Sequence, residues 1–212
     1  MIAVKHKIKK IVKFCFQTLS NYNKPVPIYP KINSNGLKIH LGPGEVNMQG
    51  WINIDARKMD HTHLTVNSFN LKEFTDGEVD QIYLCHVLEH FSFMEAKKLI
   101  SVFHQKLKPN GILRISVPCF DSIIKIYKDT NNNLNYVKYA LMGGQDYKYN
   151  FHYSVYNKKI LKDLFENSGF SEIEEWDTIE DFGVNLNDWS NSKFKTKKGK
   201  VNISLNLKGR KN

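Results

Sequence analysis

The chain has 212 residues and a mass of 24.7 kDa, a length that fits one domain with its own hydrophobic core. No apolar run approaches the roughly 18 residues of a membrane-spanning helix, and three cysteines without a CxxC pair indicate reduced thiols in a cytoplasmic protein. The net charge of +10 favours anionic partners such as phosphorylated metabolites, nucleic acid or a membrane surface.

Residues 4–20 combine apolar and basic side chains in a helical pattern. The apolar face consists of Val4, Ile8, Ile11, Val12, Cys15 and Leu19, and five lysines occupy the rest. Two interpretations of this predicted amphipathic helix stay open: it packs on the domain with a solvated lysine face, or it contacts a membrane surface or another anionic partner. Residues 21–36 contain three prolines and predict an extended linker. We therefore divide the chain into an N-terminal segment, 1–36, and a domain, 37–212.

From residue 37 onward, predicted strands and helices alternate. The strands are predicted at residues 37–41, 51–55, 64–67, 79–85, 111–118, 170–176 and 200–208. One helix begins after Ser92, with Glu95 as its capping-box partner, and another begins after Asn157 and ends at Gly169. This alternation is typical of a mainly parallel sheet covered on both faces.

Two segments interrupt the alternation. Residues 119–156 are predicted to be an insertion that builds the substrate pocket beyond the carboxyl ends of the strands. Residues 177–199 are predicted to form a polar loop.

The loop after the first predicted strand is rich in glycine. Gly42, Pro43 and Gly44 follow that strand, and the next strand ends at Asp55. Glycine lets a ligand approach the backbone closely, and a carboxylate at a strand end can accept hydrogen bonds from two ribose hydroxyls. The turn lacks the G-x-G-x-x-G and P-loop patterns, which argues against a pyrophosphate site. The combination therefore predicts a nucleoside site.

The ordered motifs IHLGPG, GWINID, VDQIYLCHVLEHF, LKPNGILRISVP and NSGF resemble those of class I S-adenosylmethionine-dependent methyltransferases, in the small bacterial branch similar to methyltransferase type 11. The resemblance covers about residues 37–207. It implies a Rossmann-like, doubly wound, mainly parallel seven-stranded sheet with an antiparallel C-terminal strand. It also implies S-adenosylmethionine as cofactor and S-adenosylhomocysteine as product. The sequence departs from the family pattern at His40, which replaces the usual acidic residue or leaves its role to Glu45.

The resemblance also implies which residues bind the cofactor. Asp55 would hold the ribose, Ala56 would lie against the adenine, and His86 would face the sulfonium region. Asn67 or Ser68 takes the place of the acidic residue that meets the adenine amino group in the family. The full set of implied cofactor-binding residues is Leu41, Gly42, Pro43, Gly44, Asp55, Ala56, Asn67, Ser68, Cys85 and His86.

Methyl transfer from a sulfonium requires above all that the nucleophile be held in line, about 3–3.5 Å from the methyl carbon. A hydroxyl nucleophile also benefits from a general base, and histidine suits neutral pH. His152, in the insertion, and His86 are the candidate catalytic residues, and the alternative for His152 is a lid histidine with a backbone partner. His90 is interpreted as structural. The candidate substrate-binding residues are Gln145, Asp146, Tyr153 and Asp121.

No metal site is predicted, because His61 and His63 have no third ligand in register and are interpreted as part of a solvent loop. The predicted function is methylation of a small-molecule acceptor, either a sugar, a sugar nucleotide or a surface-polysaccharide precursor, with O-methylation favoured. The alternatives are a nucleic-acid methyltransferase and a non-catalytic cofactor-binding protein. Against the first, LCHVLEH stands where amino-methylating DNA enzymes carry an Asn/Asp-Pro-Pro-aromatic run for a flipped base. With a lipid-linked acceptor, residues 4–20 would hold the protein at the inner membrane face.

Overall fold

The structure, a computed structural model, describes residues 36–212. The helix predicted at residues 4–20 and nearly all of the linker that follows it lie outside this range. None of the helices within the described range is long and apolar enough to cross a membrane.

Most of the strands join in one twisted sheet. The strands of residues 36–212 are Lys38–Leu41 (β1), Ile52–Asp55 (β2), Leu64–Thr65 (β3), Val79–Cys85 (β4), Leu107–Pro118 (β5), Phe170–Glu175 (β6), Lys193–Thr196 (β7), Gly199–Asn202 (β8) and Ser204–Lys211 (β9). Seven of them pair in the order β3-β2-β1-β4-β5-β9-β6. The pairs from β3 to β5 are parallel, whereas β9 runs antiparallel to both β5 and β6. The doubly wound, mainly parallel seven-stranded sheet with an antiparallel C-terminal strand is therefore confirmed.

Five α-helices lie within residues 36–212. They are Phe93–Lys106 (α1), Phe120–Asp129 (α2), Lys138–Met142 (α3), Lys158–Glu166 (α4) and Thr178–Phe182 (α5). Ser92 and Glu95 form the predicted capping box at the start of α1, and the Asn157 side chain accepts a hydrogen bond from the amide of Ile160 at the start of α4. Both predicted helix starts are confirmed, because each side chain satisfies a backbone N–H that has no partner within its helix.

The strand order places a crevice between β1 and β4. The chain passes from β1 outward to β2 and β3, and then returns to build β4 and β5 on the other side of β1. Loops that follow adjacent strands therefore diverge at the carboxyl ends of β1 and β4, where open α/β sheets bind their ligands. The side chains of β1 pack alternately on the two faces of the sheet: Ile39 and Leu41 are buried in the main core, whereas His40 stacks on Tyr83 on the opposite face.

The predicted strand at residues 200–208 is wrong as a single element. Its first part belongs to β8, which pairs with β7, and its second part belongs to β9 in the main sheet. Val201 is buried against Ile123 and Ile126 of α2, whereas Leu207 is buried in the main core. The apolar residues alternate with polar ones in both parts, so the sequence shows one uninterrupted strand pattern across the break between β8 and β9.

The predicted polar loop at residues 177–199 is also wrong in part, because it contains α5 and β7. Asp177 caps α5 by accepting a hydrogen bond from the amide of Ile179. The last residue of α5, Phe182, contacts the aromatic rings of Tyr83 and Trp176. Through these ring contacts, α5 packs on the domain although most of its residues are polar.

Candidate active site

The glycine turn after β1 is pinned against both neighbouring strands. Gly42 has a φ of +60° and Gly44 a φ of +54°, backbone conformations that favour glycine. The Gly42 amide donates a hydrogen bond to the carbonyl of Ile54 (2.8 Å). A Cβ on Gly42 would lie only 2.4 Å from Cγ2 of Val87, so the turn packs directly on the segment that follows β4.

Asp55 lies at the carboxyl end of β2, 5% exposed. One carboxylate oxygen accepts a hydrogen bond from the amide of Arg57 (2.8 Å) and the other accepts one from the amide of Gly44 (3.3 Å). A carboxylate oxygen can accept two hydrogen bonds, so each oxygen keeps capacity for a ligand hydroxyl. The same side chain therefore fixes the glycine turn and offers an acceptor pair to the crevice.

His61 and His63 also support this turn. His61 Nε2 lies 2.8 Å from the carbonyl oxygen of Gly44, and His63 Nδ1 accepts a hydrogen bond from the amide of Asn53 in β2 (2.9 Å). The two rings therefore bind backbone on either side of Asp55. The segment is a loop, as interpreted, but the two histidines are partly buried and hydrogen-bonded to the turn and to β2, so they are not solvent residues.

Two cavities open at this edge of the sheet. The smaller cavity, about 270 Å³, has Asp55, Ala56, Asn67 and Ser68 on its wall. Its apolar wall consists of Val66, Phe69, Val87 and Phe91. This combination of apolar surface with a few polar groups suits a flat heteroaromatic ligand with a polyol attached.

The larger cavity, about 820 Å³, lies beyond the glycine turn. Four aromatic rings line it, those of Tyr136, Tyr139, Tyr147 and Trp189. Polar groups lie among them, including Asn150, Asn187 and Asp188. Both cavities include Gly42, Arg57 and His86 in their walls, so the two spaces meet there.

His86 follows β4 directly and stands where the two cavities meet. Its φ is +52°, a left-handed conformation that is costly for a residue with a Cβ. Its amide donates to the carbonyl of Ser116 in β5 (2.9 Å). The Ser204 hydroxyl, which donates to a backbone carbonyl, lies 2.8 Å from His86 Nε2 and so accepts from it. Strained residues held by their surroundings are concentrated at functional sites.

Glu89, His86, His90 and His152, hereafter the Glu89 cluster, form the floor of the larger cavity. Glu89 is 1% exposed, and neither carboxylate oxygen has a hydrogen-bond partner among the described residues. The nearest polar atoms include His86 Nδ1 at 3.4 Å and His152 Nε2 at 4.0 Å. The rings of His90 and His152 pack edge to face, with centroids 4.9 Å apart.

Burial sets the protonation states in the Glu89 cluster. It raises the pKa of Glu89 to about 8. Burial lowers the pKa of His86 to about 3 and that of His152 to about 4, and the neighbouring imidazoles add to both shifts. At neutral pH the carboxyl group is therefore mostly protonated and these two imidazoles are neutral, so the contact between His86 and Glu89 is not an ion pair.

The structure brings most of the predicted site residues to the two cavities. Ala56, Asn67, Ser68 and Tyr153 line the smaller one, whereas Pro43, Gly44, Cys85 and His152 line the larger one. Leu41 is fully buried in the core beneath the turn. Three predicted substrate-binding residues lie outside both cavities, namely Asp121, Gln145 and Asp146, all with exposed side chains. Their predicted contact with substrate has no support in this placement.

Other cavity residues escaped the sequence analysis. Arg57 lines both cavities, and its guanidinium lies over the ring of Tyr147, 5.3 Å from the centroid. Its position two residues after Asp55 is a signal that could have identified it. Glu89 lies between two histidines in the motif LCHVLEH, but its burial cannot be seen in the motif. Tyr139 and Trp189 occur in segments with no strand or motif to mark them.

Comparison with known proteins identifies the family that these features belong to. The family model described as a methyltransferase domain matches residues 26–175. A comparison with curated protein sequences finds no match.

Among solved structures, a SAM-dependent methyltransferase from Archaeoglobus fulgidus is 15% identical in sequence and has a TM-score of 0.52. The match covers 95% of this chain and 94% of the Archaeoglobus chain. A SAM-dependent methyltransferase from Methanosarcina mazei is 14% identical, with coverages of 88% and 99% and a TM-score of 0.50. One from Thermotoga maritima is 11% identical, with coverages of 84% and 83% and a TM-score of 0.51. At these identities the structures show the shared fold.

Proposed function

The chain belongs to the methyltransferase-domain family and is an S-adenosylmethionine-dependent methyltransferase, and we propose that it methylates a hydroxyl group of a small, sugar-containing acceptor. The observation that carries this proposal is the larger cavity, which combines four aromatic rings with amide and carboxylate side chains beside the Glu89 cluster. Sugars offer apolar C–H faces and a surrounding belt of hydroxyls, and such a wall matches both.

The smaller cavity fits the adenosine part of the cofactor. The Asp55 carboxylate can accept from the ribose hydroxyls, and the apolar wall around Val87 and Phe91 can contain the adenine. Asn67 and Ser68 line the same cavity and can hydrogen-bond its ring atoms. Gly42 and His86 line both this cavity and the larger one, so the methionine end of a bound cofactor would extend past them toward the larger cavity. When bound, the cofactor supplies an electrophilic methyl group.

The chain contributes position and proton transfer. An acceptor hydroxyl in the larger cavity would form its C–O bond to the methyl carbon as the C–S bond breaks, and the hydroxyl proton would pass to the lone pair of His152 Nε2 or to solvent water. His152 Nδ1 lies 3.1 Å from the carbonyl of Ala140 and therefore carries hydrogen, which leaves the Nε2 lone pair free. Because burial lowers its pKa, the free imidazole is a weak base at neutral pH. Alignment of the acceptor is then the main contribution of this wall.

An acceptor screen tests the proposed function. The full chain is incubated with S-adenosylmethionine labelled in the methyl group and with separate panels of sugar phosphates, sugar nucleotides, lipid-linked glycans, tRNA and duplex DNA. We expect label in a carbohydrate panel, on an oxygen when the product is analysed by NMR. Label in nucleic acid alone, or in no panel despite cofactor binding, would refute the proposal.

Aromatic substitutions locate the acceptor. Trp189→Ala and Tyr139→Ala should each raise the acceptor KM about 5-fold, because each stacking contact contributes about 1 kcal/mol. Affinity for S-adenosylhomocysteine should not change. Phe93→Ala is the matched control, since Phe93 is comparably exposed but lines neither cavity.

A further inference from the structure

The Glu89 carboxylate lacks the partners that a buried acid needs. Its backbone carbonyl is fixed, since it accepts from the amides of Tyr153 (2.8 Å) and Ser154 (3.3 Å). Its side chain is buried and neither oxygen has a hydrogen-bond partner among the described residues; Oε1 lies 3.4 Å from His86 Nδ1 and 4.0 Å from His152 Nε2. Buried carboxylates are normally paired with a cation or coordinate a metal.

Two histidines near this carboxylate each have one ring nitrogen beside a backbone carbonyl, and the other nitrogen of His152, Nε2, lies 4.0 Å from a Glu89 oxygen. His152 Nδ1 lies 3.1 Å from the Ala140 carbonyl oxygen, and His90 Nδ1 lies 3.1 Å from the Phe151 carbonyl oxygen. A carbonyl only accepts, so both Nδ1 atoms carry hydrogen and both Nε2 atoms keep a lone pair. A backbone carbonyl that fixes the second nitrogen of the ring is the usual support of a metal-binding histidine.

We propose that Glu89, His90 and His152 bind one divalent transition-metal ion of the zinc type at the floor of the larger cavity. Each residue offers one ligand atom, and these atoms lie within 4.8 Å of one another. Tetrahedral zinc with bonds of about 2.1 Å places its ligands about 3.4 Å apart. The widest separation between these atoms would therefore shorten by up to about 1.4 Å on binding.

The ligand set favours zinc over magnesium or calcium. Two imidazoles and one carboxylate suit zinc and its transition-metal neighbours, whereas magnesium and calcium prefer oxygen ligands alone. Three protein ligands leave a fourth position, and all three residues line the larger cavity, so the open position faces it. This arrangement is typical of catalytic rather than structural zinc.

The site would give His152 a different task from that of a free base. An acceptor hydroxyl bound at the open position would lose its proton more readily, and it would be fixed relative to the methyl group. This role rests on the proposed function, whereas metal binding does not. His86 Nδ1, 3.4 Å from the Glu89 carboxylate, is close enough to hydrogen-bond a water on the ion.

Metal retention tests the inference. The full chain is stripped with chelator, reloaded with Zn²⁺, dialysed and analysed for bound zinc by mass spectrometry. We expect about one zinc per chain in the wild type, and a loss of affinity of at least 10- to 100-fold in His152→Ala and Glu89→Gln. His104→Ala is the matched control, because His104 packs on Phe170 outside the cluster and should leave retention unchanged.

Two further readouts keep the outcome clear. Glutamine has nearly the volume of the protonated Glu89 side chain, so Glu89→Gln should fold, and zinc should raise the Tm of the wild type but not that of the variant. Co²⁺ in place of zinc should show d–d bands without thiolate charge transfer. A wild type that retains no zinc, equal retention in His152→Ala and His104→Ala, or a thiolate spectrum would each overturn the inference. Affinity for S-adenosylhomocysteine and acceptor methylation, measured on the same samples, report separately on the proposed function.

Discussion

Asp55→Asn is the sharpest test of the cofactor site. Both carboxylate oxygens of Asp55 already accept a backbone N–H, one from Gly44 and one from Arg57. In the variant, the asparagine NH₂ group takes the place of one of these oxygens in either side-chain orientation, so one backbone N–H faces another donor. One acceptor oxygen also disappears from the side that would meet the ribose, and the remaining oxygen loses its charge.

The magnitude follows from these bonds. Hydrogen bonds to charged groups contribute about 1.5–3 kcal/mol each, so we expect binding of S-adenosylhomocysteine to weaken by about 2–3 kcal/mol. This corresponds to roughly a 30- to 160-fold rise in Kd. A buried N–H donor left without an acceptor costs about 1–3 kcal/mol, so the free energy of unfolding should fall as well.

The assay is titration calorimetry with S-adenosylhomocysteine, combined with urea unfolding followed by circular dichroism. Asp80→Asn is the matched control. Asp80 accepts a hydrogen bond from the amide of Leu37 and forms an ion pair with Lys108, but it lies near the start of β4, at the opposite end of the strand from the cavities. It should lower stability by less than about 1 kcal/mol, as for exposed pairs, and leave Kd unchanged. A Kd for Asp55→Asn within 3-fold of the wild type would refute the assignment of Asp55 to the ribose.

Three further predictions concern the acceptor side, acid stability and the N-terminal segment. His152→Ala should lower turnover by about 10²-fold through lost alignment of the acceptor in steady-state assays, while Kd for S-adenosylhomocysteine stays within 2-fold; near-normal turnover would shift the role to His86. Burial lowers the pKa of His40 from 6.5 to about 3 in the folded chain. As the pH falls below about 6.5, this histidine is therefore protonated in the unfolded chain but not in the folded one, and the free energy of unfolding decreases. Urea unfolding should show about 2 kcal/mol more loss between pH 6.5 and 5 in the wild type than in His40→Gln, and equal slopes would contradict this. The lysines of residues 4–20 should pull the full chain down with anionic vesicles at low salt, since each lysine near such a surface adds about 1 kcal/mol; equal pelleting of a protein that starts at residue 36 would exclude a membrane role.

The parts of the fold that depend on local chemistry were predictable. The capping box of Ser92 and Glu95, the cap at Asn157 and the alternation of strands and helices each act within a few residues of one another. The break between β8 and β9 was not predictable. Val201 and Leu207 are buried in different hydrophobic clusters, but the alternation of apolar and polar residues continues unchanged from one to the other. Only the tertiary packing decides which core each residue enters.

The candidate site divides in the same way. The Gly42–Gly44 turn and Asp55 were predictable because they follow strand ends, and parallel strands bring their carboxyl ends to one edge. Asp121 was misplaced because Ile123 and Ile126 turn inward and leave it on the exposed face of α2. Register within the helix, not proximity in sequence, fixes that outcome.

The Glu89 cluster depends on a contact across more than sixty positions of the chain. Tyr153 and Ser154 donate their amides to the carbonyl of Glu89, and this bond carries the neighbouring His152 to the carboxylate. No spacing rule joins a motif after β4 to a residue deep in the insertion. The proposed metal site therefore has no short-spaced signature in the sequence.

The two cavities are coupled through backbone contacts at the crevice. Gly42 packs on Val87 so closely that a Cβ would lie 2.4 Å from it, and Val87 immediately follows the strained residue His86. Displacement of the glycine turn would therefore shift His86, whose side chain reaches toward the Glu89 carboxylate. Methyl transfer needs donor and acceptor aligned to within fractions of an ångström. Direct packing between the turn after β1 and the segment after β4 fixes their separation, and it accounts for glycine at position 42.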